Sequence, residues 1–337
     1  MRRNAHHTRN EYQFLITLGH LSDLHATDPT GAGATSLLNK RFFGWLSWTI
    51  NRHRHYQRHV VEAIFEDIQR ESPDHVAVTG DLINISLPHE FEAASRMLKK
   101  LGSSQWVTVV PGNHDAYVGV SVERAWALWA DYLASDTNEG AASENNANPH
   151  NSNAFSFPGN LPSVRIRGDL ALVGVWSAIP TPPFVAAGKV GSDQLEQLEK
   201  TLKSLRERDL CRVVLVHHPV VDGHVTRRRR LVDSPELRGV LERAGADLVI
   251  HGHNHRSEFK ALQSNEGTIP VVGVRSASYA GPNPEKTAQY HLYQIERAQE
   301  GEGARFKISL RTRGWNEQAR TFEEVGNAEP LLDRLDA

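Results

Sequence analysis

The sequence predicts an α/β fold, and three observations predict it. Short apolar, β-branched runs alternate with stretches of helical period. The runs stop abruptly at polar residues, and at five of them those residues are Asp, Asn or His. With 337 residues and 39% hydrophobic content, the chain can fill one large α/β domain or two small ones.

Composition removes several function classes. The net charge of −2 gives no global basic field for nucleic acid. One cysteine, Cys211, excludes an intramolecular disulfide framework and Cys-based zinc fingers. The apolar runs are too short to span a bilayer. Arg2 and Arg3 are followed by an apolar run of only five residues, 14–18, too short for a secretory signal, so a cytoplasmic location is expected. The unusual figure is eighteen histidines, the commonest metal-ligating side chain.

Residues 1–12 are polar and expected to be a flexible N-terminus. The domain is expected over 13–315. Its first strand, 14–18, runs into Asp23 and His25. Their two-residue spacing would point both side chains the same way at an extended strand end. An aromatic-basic insertion follows at 35–55. There Phe42, Phe43, Trp45, Leu46 and Trp48 are interleaved with Lys40, Arg41, Arg52 and Arg54. One reading is a basic amphipathic segment touching a membrane or lipid. The expected one is an insertion packed over the domain with its arginines in water, since globular proteins bury such aromatics.

Tyr56, Val60, Val61, Ile64, Phe65 and Ile68 give a helix over 56–71. A strand from His75 ends at Gly80-Asp81. Pro88 opens a helix with Phe91, Ala94, Leu98 and Leu101 inward. A strand at 106–110 stops at a Pro-Gly turn and delivers Asn113, His114 and Asp115. Val122, Ala125, Trp126, Trp129 and Leu133 predict another helix. Residues 135–153 have no period and read as a flexible loop. Two strands at 164–167 and 170–176 pair around Gly168-Asp169, and a helix begins at Ser192. The strand 212–216 ends in His217-His218. His224 and the arginines Arg227, Arg228, Arg229 and Arg230 come next, either a solvated face or an anion-attracting rim of the cleft. A helix capped by Ser234-Pro235 leads to a strand ending in His251-Gly-His253-Asn-His255. Strands at 269–274, 289–295 and 306–311 complete the domain, and 316–337 is expected as a tail or edge helix.

Ligands of open α/β sheets collect at the C-terminal ends of strands. Histidine, carboxylate and one amide oxygen suit zinc, manganese or iron and disfavour calcium. Asp23, His25, Asp81, Asn113, His217, His253 and His255 are seven candidate ligands, more than one ion with an open position needs. If Asp81 bridges, each of two ions receives four. Two divalent ions, less two carboxylates and a bridging hydroxide, leave roughly +1 for a phosphodiester anion.

Asp-x-His, Gly-Asp, Gly-Asn-His-Asp, a later His and Gly-His-x-His, in this order across about residues 14–295, resemble the calcineurin-like metallophosphoesterases. The resemblance implies a four-layer αββα sandwich with a dinuclear centre. It implies Asp23, His25, Asp81 and His255 on one ion and Asp81, Asn113, His217 and His253 on the other. His114 would face the leaving oxygen as general acid or positive stabiliser. Asp115 would hold its other nitrogen or cap the turn, and Gly80, Gly112 and Gly252 would let the backbone turn tightly.

More narrowly, the shape of the domain resembles the bacterial branch that includes cyclic-nucleotide and glycerophosphodiester phosphodiesterases. The expected function is therefore hydrolysis of a small or lipid-linked phosphodiester by metal-activated hydroxide. The alternative is a pyrophosphohydrolase of a nucleotide-sugar lipid. A phosphomonoesterase, a nuclease and a non-catalytic scaffold rank lower. Lipid contact through 35–55 and homodimerisation are open. His218 is expected to orient His217, and His251 to point away.

Overall fold

β-branched and aromatic runs bounded by turn residues pair as strands, and the 3.6-period stretches pack over them. The computed structural model describes residues 15–122, 125–136, 161–221, 226–299 and 305–335. Residues 1–12, His224 and the 137–153 part of the expected loop lie outside the described residues.

The first half comprises β1 (Leu15–Leu21), α1 (Arg41–Ile50), α2 (Arg58–Glu71), β2 (His75–Val78), α3 (Pro88–Leu101) and β3 (Val107–Val109). The short α4 (Ala130–Leu133) precedes β4 (Ser163–Arg167) and β5 (Leu170–Gly174). Then come α5 (Ser192–Glu207), β6 (Cys211–Leu215), α6 (Ser234–Ala244) and β7 (Leu248–His251). The rest is strand: β8 (Glu258–Ser264), β9 (Gly267–Gly273), β10 (Gln289–Arg297), β11 (Phe306–Asn316), β12 (Thr321–Glu324) and β13 (Glu329–Pro330).

These strands form two mixed sheets. One is ordered β12-β11-β10-β1-β2-β3, with β13 also on β11, and the other β4-β5-β6-β7-β9-β8. The parallel blocks are β1-β2-β3 and β5-β6-β7-β9. Leu18, Tyr293 and Ile295 of the first sheet meet Leu172, Val213 and Ile250 of the second in one buried core. Ile64 and Phe91, on α2 and α3, join the core on the outer side of the first sheet. Leu198 and Leu241, on α5 and α6, do the same for the second. The result is the expected αββα sandwich.

Three expectations are corrected. The helix expected from Val122 to Leu133 is a 3-10 turn at Trp126–Trp129 followed by the four-residue α4. Trp126 and Trp129 are fully buried, packed on Phe91, and this ring packing overrides helical period. β8 was not expected, because its edge position leaves Glu258, Lys260 and Gln263 outside the apolar core. Residues 316–337 are not a tail. β12 and β13 both pair with β11, and Leu331 is fully buried. Ion pairs from Arg311 and Arg313 to Glu324 and Asp67 hold this polar edge, so alternation of apolar residues is weak there.

Candidate metal centre

The five polar strand ends converge. Asp23 and His25 follow β1, Asp81 follows β2, and Asn113 and His114 follow β3. From the second sheet, His217 follows β6, and His253 and His255 follow β7. Strand parity is not what brings them together. β1 stops at Leu21, and Asp23 and His25 lie beyond it with φ of 54° and 43°. Asp81, His253 and His255 share this left-handed backbone, at 54°, 69° and 53°. Such conformations cost roughly 1–3 kcal/mol each in non-glycine residues and cluster at functional sites. The expectation of an extended end at Asp23 and His25 is thereby corrected. Of the three glycines only Gly80 turns with a positive φ, 91°. Gly112 and Gly252 serve close approach: a Cβ would collide with Asp81 Oδ1 at one and with Ser22 Oγ at the other.

Four histidines each turn one ring nitrogen outward onto a fixed partner. His25 Nδ1 is 3.2 Å from Ile83 O, His217 Nδ1 is 2.7 Å from Thr79 O, and His253 Nε2 is 2.8 Å from Arg229 O. His255 Nδ1 is 3.0 Å from the Tyr56 hydroxyl. A carbonyl only accepts, so in the neutral rings of His25, His217 and His253 the outer nitrogen carries the hydrogen. The inner nitrogen is then a lone pair.

Those inner atoms crowd one another. His253 Nδ1 lies 3.3 Å from His217 Nε2 and 2.8 Å from Asn113 Oδ1. His217 Nε2 lies 3.3 Å from Asp81 Oδ2, and His255 Nε2 lies 3.0 Å from Asp23 Oδ1. His25 Nε2 is buried with no hydrogen-bond partner among the described residues, 3.8 Å from Asp23 Oδ1 and 3.7 Å from Asp81 Oδ2. Asp81 Oδ2 therefore faces both His25 and His217. Lone pairs and carboxylates packed this way call for positive charge between them. Against burial, which lowers it, the Asp81 and Asp23 carboxylates push the His217 pKa up to about 9, so the inner nitrogen takes a proton unless another cation occupies that place. The arrangement fits metal ions.

The profile of the calcineurin-like phosphoesterase family matches residues 16–257. The chain belongs to that family. No curated protein sequence matches it. A solved dimetal phosphatase from Danio rerio is similar at TM-score 0.52 and 15% identity, over 89% of this chain and 96% of that one. A 5'-nucleotidase precursor from Thermus thermophilus aligns at TM-score 0.47 and 16% identity, over 88% of this chain and 54% of that one. This chain thus spans about half of the nucleotidase precursor. At 15% identity the likeness to the dimetal phosphatase is one of fold.

In this phosphoesterase two buried carboxylates hold the loop 81–87. Asp115 accepts from the backbone N–H groups of Asp81, Leu82, Ile83 and Gly112 at 2.8–3.2 Å. Glu90 accepts from those of Asn84, Ile85 and Leu87, and from the Thr27 hydroxyl, at 2.7–3.1 Å. Asp115 is therefore the turn cap and does not hold His114, a correction of its expected catalytic role. Its oxygens are taken by backbone donors. His114 Nδ1 instead meets Asn84 O at 2.5 Å.

His114 Nε2 faces Arg52 Nη1 at 3.2 Å. Burial and the Arg52 cation lower the His114 pKa to about 4. Arg52 comes from the 35–55 insertion, whose arginines were expected in water. Arg41 also turns inward, donating to Ile85 O and Ser86 O. Arg52, Tyr56, Asn84 and Glu90 were missed as site residues. The only sequence signal was the aromatic-basic character around Arg52 and Tyr56, and Glu90 three residues into a helix behind Leu87.

The remaining histidines separate cleanly. His218 sends Nδ1 to Ser177 Oγ at 2.7 Å and packs on His253, with ring centroids 4.6 Å apart. His251 bonds Gly252 O and packs against Gly273. His20 and His75 bond Thr79 and Thr108 within the core. The arginine run touches the site only through Arg229, whose Nη2 donates to His253 O at 2.9 Å. Arg227, Arg228 and Arg230 are exposed.

Proposed function

We propose that this chain is a dinuclear metal-dependent phosphodiesterase acting on a small or lipid-linked phosphodiester. One observation carries the reading: histidines fixed by their outer nitrogens turn lone pairs onto two adjoining positions that share Asp81 Oδ2. Asp23, His25, Asp81 and His255 would hold one ion. Asp81, Asn113, His217 and His253 would hold the other. The donors suit manganese, iron or zinc. Bound there, two such ions would ionise water near neutral pH and offset phosphate charge.

The chain's own residues supply the rest. Arg52 brings a guanidinium onto His114, which clusters with Asp81 and His25, and there it can bind a phosphoryl oxygen or the departing oxygen. His114 Nε2 orients that guanidinium, and a general-acid role for His114 requires Arg52 to leave Nε2. A cleft of about 600 Å³ reaches from His25 past Thr27, Trp48, His53 and Tyr56, giving room for an ester substituent. Two divalent ions against Asp23 and Asp81 leave roughly +2. With the water's lost proton, that matches the single charge of a diester.

A pyrophosphohydrolase of a nucleotide-sugar lipid is the second reading. It is favoured by exposed Phe42, Phe43 and Leu46 in the segment that carries Arg52. The deciding assay compares bis(p-nitrophenyl) phosphate with p-nitrophenyl phosphate on metal-replete protein. Faster diester cleavage is expected. A monoester preference would make the chain a phosphatase, and nucleoside monophosphate released from a nucleotide-sugar lipid would favour the second reading. No hydrolysis of any phosphoester, with His114→Ala indistinguishable from wild type, would overturn catalysis.

A further inference from the structure

α1 is the only α-helix among the described residues with no buried residue. Its inward side is set by Gly44, where a Cβ would lie 2.5 Å from Ile85 and 2.8 Å from the Tyr117 hydroxyl. Its outward side is apolar. Phe42, Phe43, Leu46 and Ile50 are 43%, 41%, 38% and 63% exposed, and their spacing makes one stripe. Leu38 and Phe184 are exposed too, and the Phe184 ring sits 4.8 Å from that of Phe43.

Cations lie on two sides of this stripe. From Asp28 to Glu62 the sequence has no intervening carboxylate; Lys40, Arg41 and Arg52 turn to partners inside the protein, and Arg54 and Arg58 are exposed. On the side of Phe184, Ala186 N donates to Arg228 O at 2.8 Å and Gly188 N to Arg230 O at 3.1 Å. The arginine run 227–230 is thereby fixed alongside the 184–188 loop. Lys40 ties the two sides together, its Nζ donating to Val185 O at 3.0 Å.

We propose that this face docks on an anionic lipid bilayer. The stripe enters the headgroup boundary, and the exposed cations, Arg54 and Arg58 on one side and Arg227, Arg228 and Arg230 on the other, meet lipid phosphates. A second copy of the chain fits less well, because an isologous contact sets the same cations against each other. Arg52 belongs to the same segment and reaches His114, so docking brings the site to the bilayer surface. The docking does not depend on which residues hold metal.

The test is co-sedimentation of the full chain with phosphatidylcholine vesicles, with and without phosphatidylglycerol, over a range of salt. Binding is expected only with phosphatidylglycerol and should fall as salt rises. Phe42→Ser with Leu46→Ser should weaken binding at least about tenfold, with an unchanged circular dichroism spectrum and unchanged turnover of a soluble diester. Arg227→Gln with Arg228→Gln should weaken it about fivefold per charge. No binding to anionic vesicles, or binding that both double variants leave intact, would overturn the proposal. So would a dimer in sedimentation velocity that Phe42→Ser with Leu46→Ser dissociates while vesicles go unbound, which would make the face a self-association surface.

Discussion

Two segments meet beside Arg52 and are built on opposite terms. The loop 81–87 is buried and polar in its bonding. Six of its backbone N–H groups end on two fully buried carboxylates, Asp115 and Glu90. α1 has no buried residue and turns four apolar side chains outward. The loop is over-determined from within, and that is how Asp81 and Asn84 hold their places despite left-handed backbone at Asp81. Among the described residues the stripe is covered only in part, by Phe184 against Phe43, and it is the face proposed above to dock on lipid. Precision at this site comes from satisfied buried polar groups, and reach comes from the exposed insertion.

The comparison is sharpest at Asp81. Asp81→Asn should lower kcat by at least about 10³-fold, beyond the 10–100-fold typical of groups that merely support a ligand. Steady-state kinetics on the diester measure it, and a smaller loss would deny Asp81 its shared position. Glu90→Ala should cost about 3 kcal/mol in urea denaturation, because it strands buried amides at Asn84, Ile85 and Leu87. Were that cost near zero, the loop would not be held as described. Arg52→Ala links the two segments and should cut kcat about 10²-fold, with Arg52→Lys intermediate. An effect confined to KM would move Arg52 from the reacting oxygens to general substrate attraction. Smallest of all, Phe42→Ser with Leu46→Ser should change folding stability by no more than about 0.5 kcal/mol. A larger loss would mean that the stripe packs inside the protein after all.

Much of this site was legible in the sequence, for a chemical reason. Asp23, His25, Asp81, Asn113, His217, His253 and His255 stand where apolar runs stop, and metal-ligating residue types at strand ends are conspicuous in any α/β chain. The sheets were legible where strands are buried and β-branched. β8 and β12 escaped because edge strands carry charge. Helix period also misled at 122–133, where buried tryptophans dictate the backbone. The supporting residues were hidden for another reason. Glu90 acts on main-chain donors, which residue type does not mark, and for the same reason Asp115 could be named from the sequence without deciding between turn cap and partner of His114. Arg52 reaches His114 only because an insertion folds back over the strand ends, a tertiary contact across 62 residues of sequence. The left-handed backbone at Asp23 and His25 was likewise invisible, although it is what aims the two side chains.

The most direct measurement of the central claim is metal binding to purified, metal-stripped chain, by calorimetric titration with Mn²⁺ and elemental analysis of the product. The account predicts about two ions per wild-type chain and, in Asp81→Asn, weakened binding at both positions because one oxygen serves both. A single ion in the wild type, or two bound to Asp81→Asn with undiminished affinity, would contradict it.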